Sequence, residues 1–363
     1  RRALLLAEVA LRFHVMSGRF RAIYCPMVTF SQSTGDPADV LIIGAGIAGL
    51  LCATELQHAG LRVCVLDKGR GFGGRMATRR MGAARIDHGA QFFTVRDPQL
   101  QAYVDCWLSA GLIKEWYRHA PEDSNPKGYP RYCGVQGMTD VPKHLAASLP
   151  VWREQHVTSL AWSNDVWRAY TLQGNCFQAE QLVLTAPLPQ SLMLLDTSGL
   201  SYADPRTLQA LRAVRYERGL ATLAILDGPS GLPAPGGMKI DRPPLTWIAD
   251  NQQKGVSTDV SAITLHADAD FAQAHWSEPD EIRGPLMLEA AASYLKSTVI
   301  DYSCHRWGFT TPINPWSERS FHDPNLHYSL AGDAFGGPRI EGAALSGLHA
   351  AHTLLQQAVF ETA

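Results

Sequence analysis

Along the first part of the chain the apolar positions change period twice. Val40-Leu41-Ile42-Ile43 is an unbroken aliphatic run, the pattern of a strand buried on both faces. Leu50, Leu51, Ala53, Thr54 and Leu56 then recur at helical spacing until Gly60 closes the segment, and Val63 to Leu66 is a second short apolar run. Strand, glycine turn, helix, strand predicts a βαβ unit with parallel strands and a right-handed crossover. A helical pattern over 98–117 follows. Residues 155–185 read as short strands ("HVTSLAWS", "VWRAYTLQG", "QLVLTAP"). From about 205 to 300 strands alternate with helices, among them the helical "PDEIRGPLMLEAAASYLKS". The strand, glycine turn and helix pattern returns at "HYSLAGDAFGGPRIEGAALSGLHAAHTLLQQAV", so the two ends of the chain are expected to meet.

The first glycine turn carries chemistry. Gly44-Ala45-Gly46-Ile47-Ala48-Gly49 is G-x-G-x-x-G between a strand and a helix. Gly44 permits the tight turn, Gly46 lets backbone approach a pyrophosphate, and Gly49 lets the helix pack close to the strand. The helix N-terminus offers its unpaired N–H groups to the same anion. Asp67 stands 18 positions after Gly49 at the end of the second strand, where an acid binds ribose hydroxyls and favours FAD or NAD over NADP. "DKGRGFGGRMATRR" follows at once, bringing a second stretch of bare backbone and Arg75 to the diphosphate, which favours FAD. At the other end Gly332-Asp333 closes an apolar strand, placing a carboxylate for a ribityl hydroxyl, and "EGAALSG" opens a helix toward the flavin pyrimidine edge.

Composition narrows the partners. A chain of 363 residues with 46% hydrophobic and 18% charged residues is globular rather than disordered, and a net charge of −2 provides no global field for nucleic acid or anionic membrane. No apolar run reaches membrane-spanning length. Seven scattered cysteines without a C-x-x-C pair argue against a disulfide framework or a metal site and suggest a reducing cytoplasm. Residues 1–38 read as an N-terminal extension, expected to be poorly ordered. Oligomeric state is not readable.

The segments "LIIGAGIAGL", "LDKGRGFGGRMATRR", "RIDHGAQFFTVRD", "GVQGMTDVPKHLA", "LVLTAPLPQ", "WIADNQQKG", "LHADADFAQAHW", "HRWGFTTP" and "AGDAFGGPRIEGAALSG", spread from about Asp39 to Leu355, resemble the flavin-containing amine oxidase superfamily and, within it, the renalase family, especially its bacterial members. The resemblance implies an α/β fold: a Rossmann-like FAD-binding domain of the p-hydroxybenzoate hydroxylase type (39–95, 130–190 and 325–363) interleaved with a mixed-sheet substrate domain (96–129 and 191–324). It implies non-covalent FAD, since Ala334 and Phe335 stand where covalent-flavin relatives carry a cysteine. Gly44, Gly46, Ala48, Gly49, Asp67, Lys68, Gly74, Arg75 and Met76 would line the adenosine and diphosphate. Val157 would meet adenine through its backbone, and Gly89 to Phe93, including Gln91 and Phe92, would lie on the isoalloxazine. Asp333, Arg339, Gly342 and Ala343 would hold the ribityl chain and pyrimidine edge.

The activity so implied is oxidation of 2- and 6-dihydro-NAD(P) to NAD(P)+ by hydride transfer to flavin N5, with O2 reduced to H2O2; the alternatives are a small-amine oxidase and a non-catalytic FAD-binding protein. Trp247, His266 and Trp307 are the cavity candidates. Arg306 could pair with a substrate phosphate or a structural carboxylate. Lys239, Lys254 and Lys296 read as surface lysines rather than as the flavin-side lysine of an amine oxidase. His88, just before the flavin-facing segment, departs from the family pattern.

Overall fold

The computed structural model describes residues 37–118, 127–200 and 202–361, so the N-terminal extension lies, but for its last two residues, outside the described part. The predicted βαβ unit is present: strand β1 (Ala38–Ile43), helix α1 (Ile47–His58) and strand β2 (Val63–Leu66), with Val40 beside Val63 and Ile43 beside Leu66 in parallel register. β1 is the middle of an eight-stranded sheet, flanked on its other side by the parallel strand Cys176–Leu184 and beyond it by Tyr328–Leu330. Alternate residues of β1 serve different cores. Val40 and Ile42 pack with α1 and the C-terminal helix Arg339–Glu361, and Leu41 packs with Trp167, Leu184 and Tyr328 on the opposite face. All three are essentially fully buried, which stabilises by roughly 2 kcal/mol per side chain and accounts for the continuous aliphatic run.

The two ends of the chain do meet. The C-terminal helix lies on α1 so closely that a Cβ on Gly347 would come within 2.1 Å of the Ala48 carbonyl oxygen. Both strand-to-helix glycine turns therefore open at the same edge of the sheet.

A second sheet of five strands runs in the order Gly237–Lys239, Leu245–Asp250, Ala262–Ala267, Gly219–Leu226, Val299–Trp307. It is antiparallel throughout rather than mixed, and the helix Asp280–Ala291 covers one face through Met287 and Ala291. The hairpin Thr78–Met81 and Ala84–Asp87 joins the sheets, with Ala84 and Ile86 packed on Leu223 and Ala262.

Three segments depart from the sequence pattern. The helix expected over 98–117 ends at Ser109, because Gly111 adopts φ +66° and turns the chain into the strand Ile113–Arg118, which pairs with Pro130–Gly134. Residues 98–109, expected with the second sheet, pack through Leu100, Val104 and Trp107 into the α1 core. Helices Leu188–Thr197 and Pro205–Ala213, also expected there, bury Leu192, Leu195 and Leu211 against the other face of the first sheet.

Candidate active site

At the first turn each glycine has a distinct reason. Gly44 sits at φ +117°, and a Cβ there would meet Thr185 Oγ1 at 2.4 Å; one on Gly49 would meet the Gly44 carbonyl oxygen at 2.0 Å. Gly46 caps α1, and among the described residues no side chain takes the helix N–H groups and a Cβ there meets nothing within 4 Å. The same is true of Gly74, in the 3-10 turn Gly74–Met76, and of Gly337. Open space in front of an uncapped helix N-terminus and two further bare backbones is the cradle a dinucleotide pyrophosphate requires. Asp67 lies beside it: its carboxylate accepts from Ala45 N at 2.7 Å and Gly69 N at 2.6 Å, locking the two turns together. Gly73 N donates to the Ala45 carbonyl, and Gln155 N to the Asp67 carbonyl, which brings the strand that starts at Val157 to this corner. Ala48 and Met76 are buried beneath these turns and shape them from behind. Lys68 is exposed and donates to Gln190 Oε1 at 3.3 Å.

Arg75 and Asp333, expected on separate parts of the cofactor, hold each other. The guanidinium is bidentate on the carboxylate at 2.5 and 2.7 Å and also donates to the Phe309 and Thr310 carbonyls. Tyr216 adds its hydroxyl to Asp333 at 3.0 Å, and burial, reinforced by that carboxylate, pushes its phenol pKa well up. Asp333 is 5% exposed, and a carboxylate that deep needs a counter-charge. Arg75 is thus the buttress of Asp333 rather than a group committed to phosphate alone. Ala343 is buried in the C-terminal helix, and a Cβ on Gly342 would strike the Gly337 carbonyl oxygen at 2.1 Å. Arg339 is exposed at the start of that helix with φ +90°.

Beyond Arg75 the chain reaches the second sheet. Ala90 N donates to the Arg75 carbonyl, so His88 to Phe92 runs directly from the glycine turn to the sheet face. The three cavity candidates gather there. Trp247 and His266 are cross-strand neighbours, and Trp307 stacks on His88 at 5.1 Å between ring centroids and donates Nε1 to the His88 carbonyl. His305 meets both rings, at 4.8 and 4.3 Å. The Phe92 ring lies 5.5 Å from Trp247, 6.4 Å from Trp116 and 6.5 Å from Tyr117, with the Arg131 guanidinium 4.3 Å over its face. Arg306 lies away from these rings, exposed, beside Trp276.

The buried atoms His88 Nδ1, Gln91 Oε1, Trp247 Nε1 and His266 Nε2 in this region find no hydrogen-bond partner among the described residues. Gln91 Nε2 is committed to the Asp87 and Gly89 carbonyls, which fixes the orientation of its amide. Burial pushes the His88 and His266 imidazoles down to about 4; His305 and Arg79 add to the effect at His88, and Lys254 to that at His266. Both rings are neutral at pH 7. Orphaned polar atoms among stacked rings mark a place built for a ligand that supplies their partners.

The sequence reading missed Lys254, Trp116, Tyr117 and Tyr216. Lys254 is buried and paired with Asp87 at 2.6 Å, contrary to its reading as a surface lysine. Trp116 and Tyr117 fell inside the helix that was expected to run to 117, although the "IKEWYR" run is itself rich in strand-forming residues. Among the described residues no cluster could hold a metal, and no helix is long and apolar enough to cross a membrane.

A family model described as an NAD(P)-binding Rossmann-like domain matches residues 42–107. The chain is 23% identical to renalase of Mus musculus over 306 residues, 77% of this chain and 87% of that protein. It is 35% identical to putrescine oxidase of Kocuria rosea over 77 residues, 21% of this chain and 16% of the relative. In three dimensions it resembles an engineered putrescine oxidase (TM-score 0.67, 15% identity, 88% of this chain and 99% of that one) and a fatty acid isomerase from P. acnes (TM-score 0.63, 13% identity, 90% and 99%). At those identities the likeness is one of fold. Fold, glycine cradle and relatives together define an FAD-dependent oxidoreductase. Within that class its sequence is similar to renalase over 77% of the chain.

Proposed function

We propose that the chain is an oxidase of misreduced nicotinamide dinucleotides, converting 2- and 6-dihydro-NAD(P) to NAD(P)+ with O2 reduced to H2O2. When bound, FAD supplies the acceptor for the hydride. Asp67 is assigned to the adenosine ribose, Gly44, Gly46, Gly49 and Gly74 to the diphosphate, Val157 to the adenine edge, and the Arg75–Asp333 pair to the ribityl side. Gln91, Phe92, Trp247 and His266 face the substrate ring, and their task is orientation, because leaving hydride creates an aromatic pyridinium without removal of a proton.

The observation that carries this reading is the pairing of senses among the orphaned atoms. Trp247 Nε1 can only donate and Gln91 Oε1 can only accept, the complement of one neutral carboxamide, and the Phe92 ring next in the chain to Gln91 packs 5.5 Å from Trp247, a pair that suits a flat heterocycle. The buried histidines are neutral and the buried Asp87 is matched by Lys254, so these groups offer no spare carboxylate to an alkylammonium. An amine oxidase is the second reading, because the ring set Phe92, Trp116, Tyr117 and Trp247 would also enclose a neutral amine.

Anaerobic mixing of the yellow protein with 6-dihydro-NAD should bleach the visible flavin absorbance, and air should restore it with release of peroxide. Bleaching by putrescine or benzylamine but not by the dihydronicotinamide would replace the first reading by the second.

A further inference from the structure

The Lys254–Asp87 pair neutralises a buried carboxylate, and no positioning role has been given to it. Both side chains have no exposed surface, with Nζ to Oδ2 at 2.6 Å. Moving two charges out of water costs several kcal/mol each, and a well-packed apolar pair of similar volume is often as stable. Stability is therefore a weak account of its presence.

Its position offers a better one. Asp87 ends the strand Ala84–Asp87 and immediately precedes His88 to Phe92. Its Oδ1 accepts from Thr78 Oγ1 at 2.6 Å and Met138 N at 2.9 Å, its N donates to Asn251 Oδ1, and its carbonyl accepts from Gln91 Nε2 at 2.6 Å and Thr264 Oγ1 at 2.8 Å. Lys254 sits on the turn after the strand that carries Trp247. That turn is pinned by Asp250, which accepts from Gln252 N and Gln253 N and from Ser230 Oγ. The Lys254 ammonium also lies 5.0 Å from the centre of the Trp116 ring. One buried cation thus touches both the root of the flavin-facing segment and a ring packed against Phe92 and Trp247.

We propose that Lys254 is a positioning residue: through Asp87 and the face of Trp116 it sets the register between the segment His88–Phe92 and the ring wall of the second sheet. The pair then defines the width of the substrate slot, whichever flat substrate fills it.

The test is the double variant Lys254→Met with Asp87→Asn, which removes both charges while the new side-chain amide oxygen can still accept from Thr78 and Met138. Hydrogen exchange of the apoprotein and steady-state kinetics with 6-dihydro-NAD are compared with wild type. The expected result is exchange of the 88–92 amides faster by roughly tenfold with β1 unchanged. KM should rise by about tenfold while kcat moves by less than about twofold. Wild-type exchange at 88–92 would overturn the proposal, as would a wild-type KM. If the double variant does not fold, Lys254→Arg serves: it keeps the charge but not its shape, so a folded Lys254→Arg protein with wild-type exchange and KM also overturns it. Exchange is read without substrate, so failure of the dihydronicotinamide reading leaves this test intact.

Discussion

Replacing Arg75 by methionine strips Asp333 of its counter-charge and two short hydrogen bonds while leaving the Tyr216 hydroxyl at 3.0 Å. Breaking a fully buried ion pair from one side costs about 3–5 kcal/mol. The Asp333 side chain is 7% exposed but that of Arg75 is 31% exposed, so water can reach the vacated side, and the expected loss falls to about 2–3 kcal/mol. Asp333→Asn should cost less, about 1–2 kcal/mol, because the guanidinium keeps the Phe309 and Thr310 carbonyls and partial access to water. The double variant leaves neither charge unmatched, so its loss should fall short of the sum of the singles by about 2 kcal/mol. Urea unfolding of the apoprotein is the assay, read as a shift in midpoint at constant m-value. The apoprotein matters, since lost FAD would itself lower apparent stability by mass action. Additivity of the two losses to within about 0.5 kcal/mol would refute the reasoning that the groups act as one buttress.

Asp67→Ala removes the acceptor of both Ala45 N and Gly69 N together with the proposed ribose contact, so the purified variant should leave gel filtration colourless; full retention of FAD would reassign the adenosine end. His88 and His266 are neutral when folded down to about pH 4 but take up protons when unfolded below about 6.5, so the unfolded state binds more protons in between and stability falls as pH falls through that window. At full protonation of the unfolded state the loss is on the order of 3 kcal/mol per histidine. Thermal melts from pH 7 to pH 4 should show it, and His266→Gln should flatten the profile; an unchanged slope would mean that His266 is not buried as a neutral base.

What was legible in the sequence is what depends on local pattern. The βαβ unit could be read because a both-faces-buried strand, a glycine turn and a helical period follow one another within one short stretch of chain, and Gly49 answers a steric demand made by a near neighbour, the Gly44 carbonyl. Trp247, His266 and Trp307 were named as candidates through segment resemblance, and the second sheet's register places them on neighbouring strands. The helix drawn through Trp116 failed because a single left-handed glycine at 111 overrides helical spacing.

Lys254 failed for a deeper reason. Composition places a lysine at the surface unless a partner is known, and its partner stands 167 residues earlier in the chain. No window of sequence contains both halves of that pair, and neither half looks unusual alone. The same holds for Arg75 and Asp333, separated by 258 positions, each of which reads as a cofactor ligand until the other is seen. Pairs of this kind tie distant segments together, the hairpin Thr78–Asp87 to the turn after Leu245–Asp250 and the turn Gly74–Met76 to the end of the strand Tyr328–Leu330, and only the folded chain brings them into view.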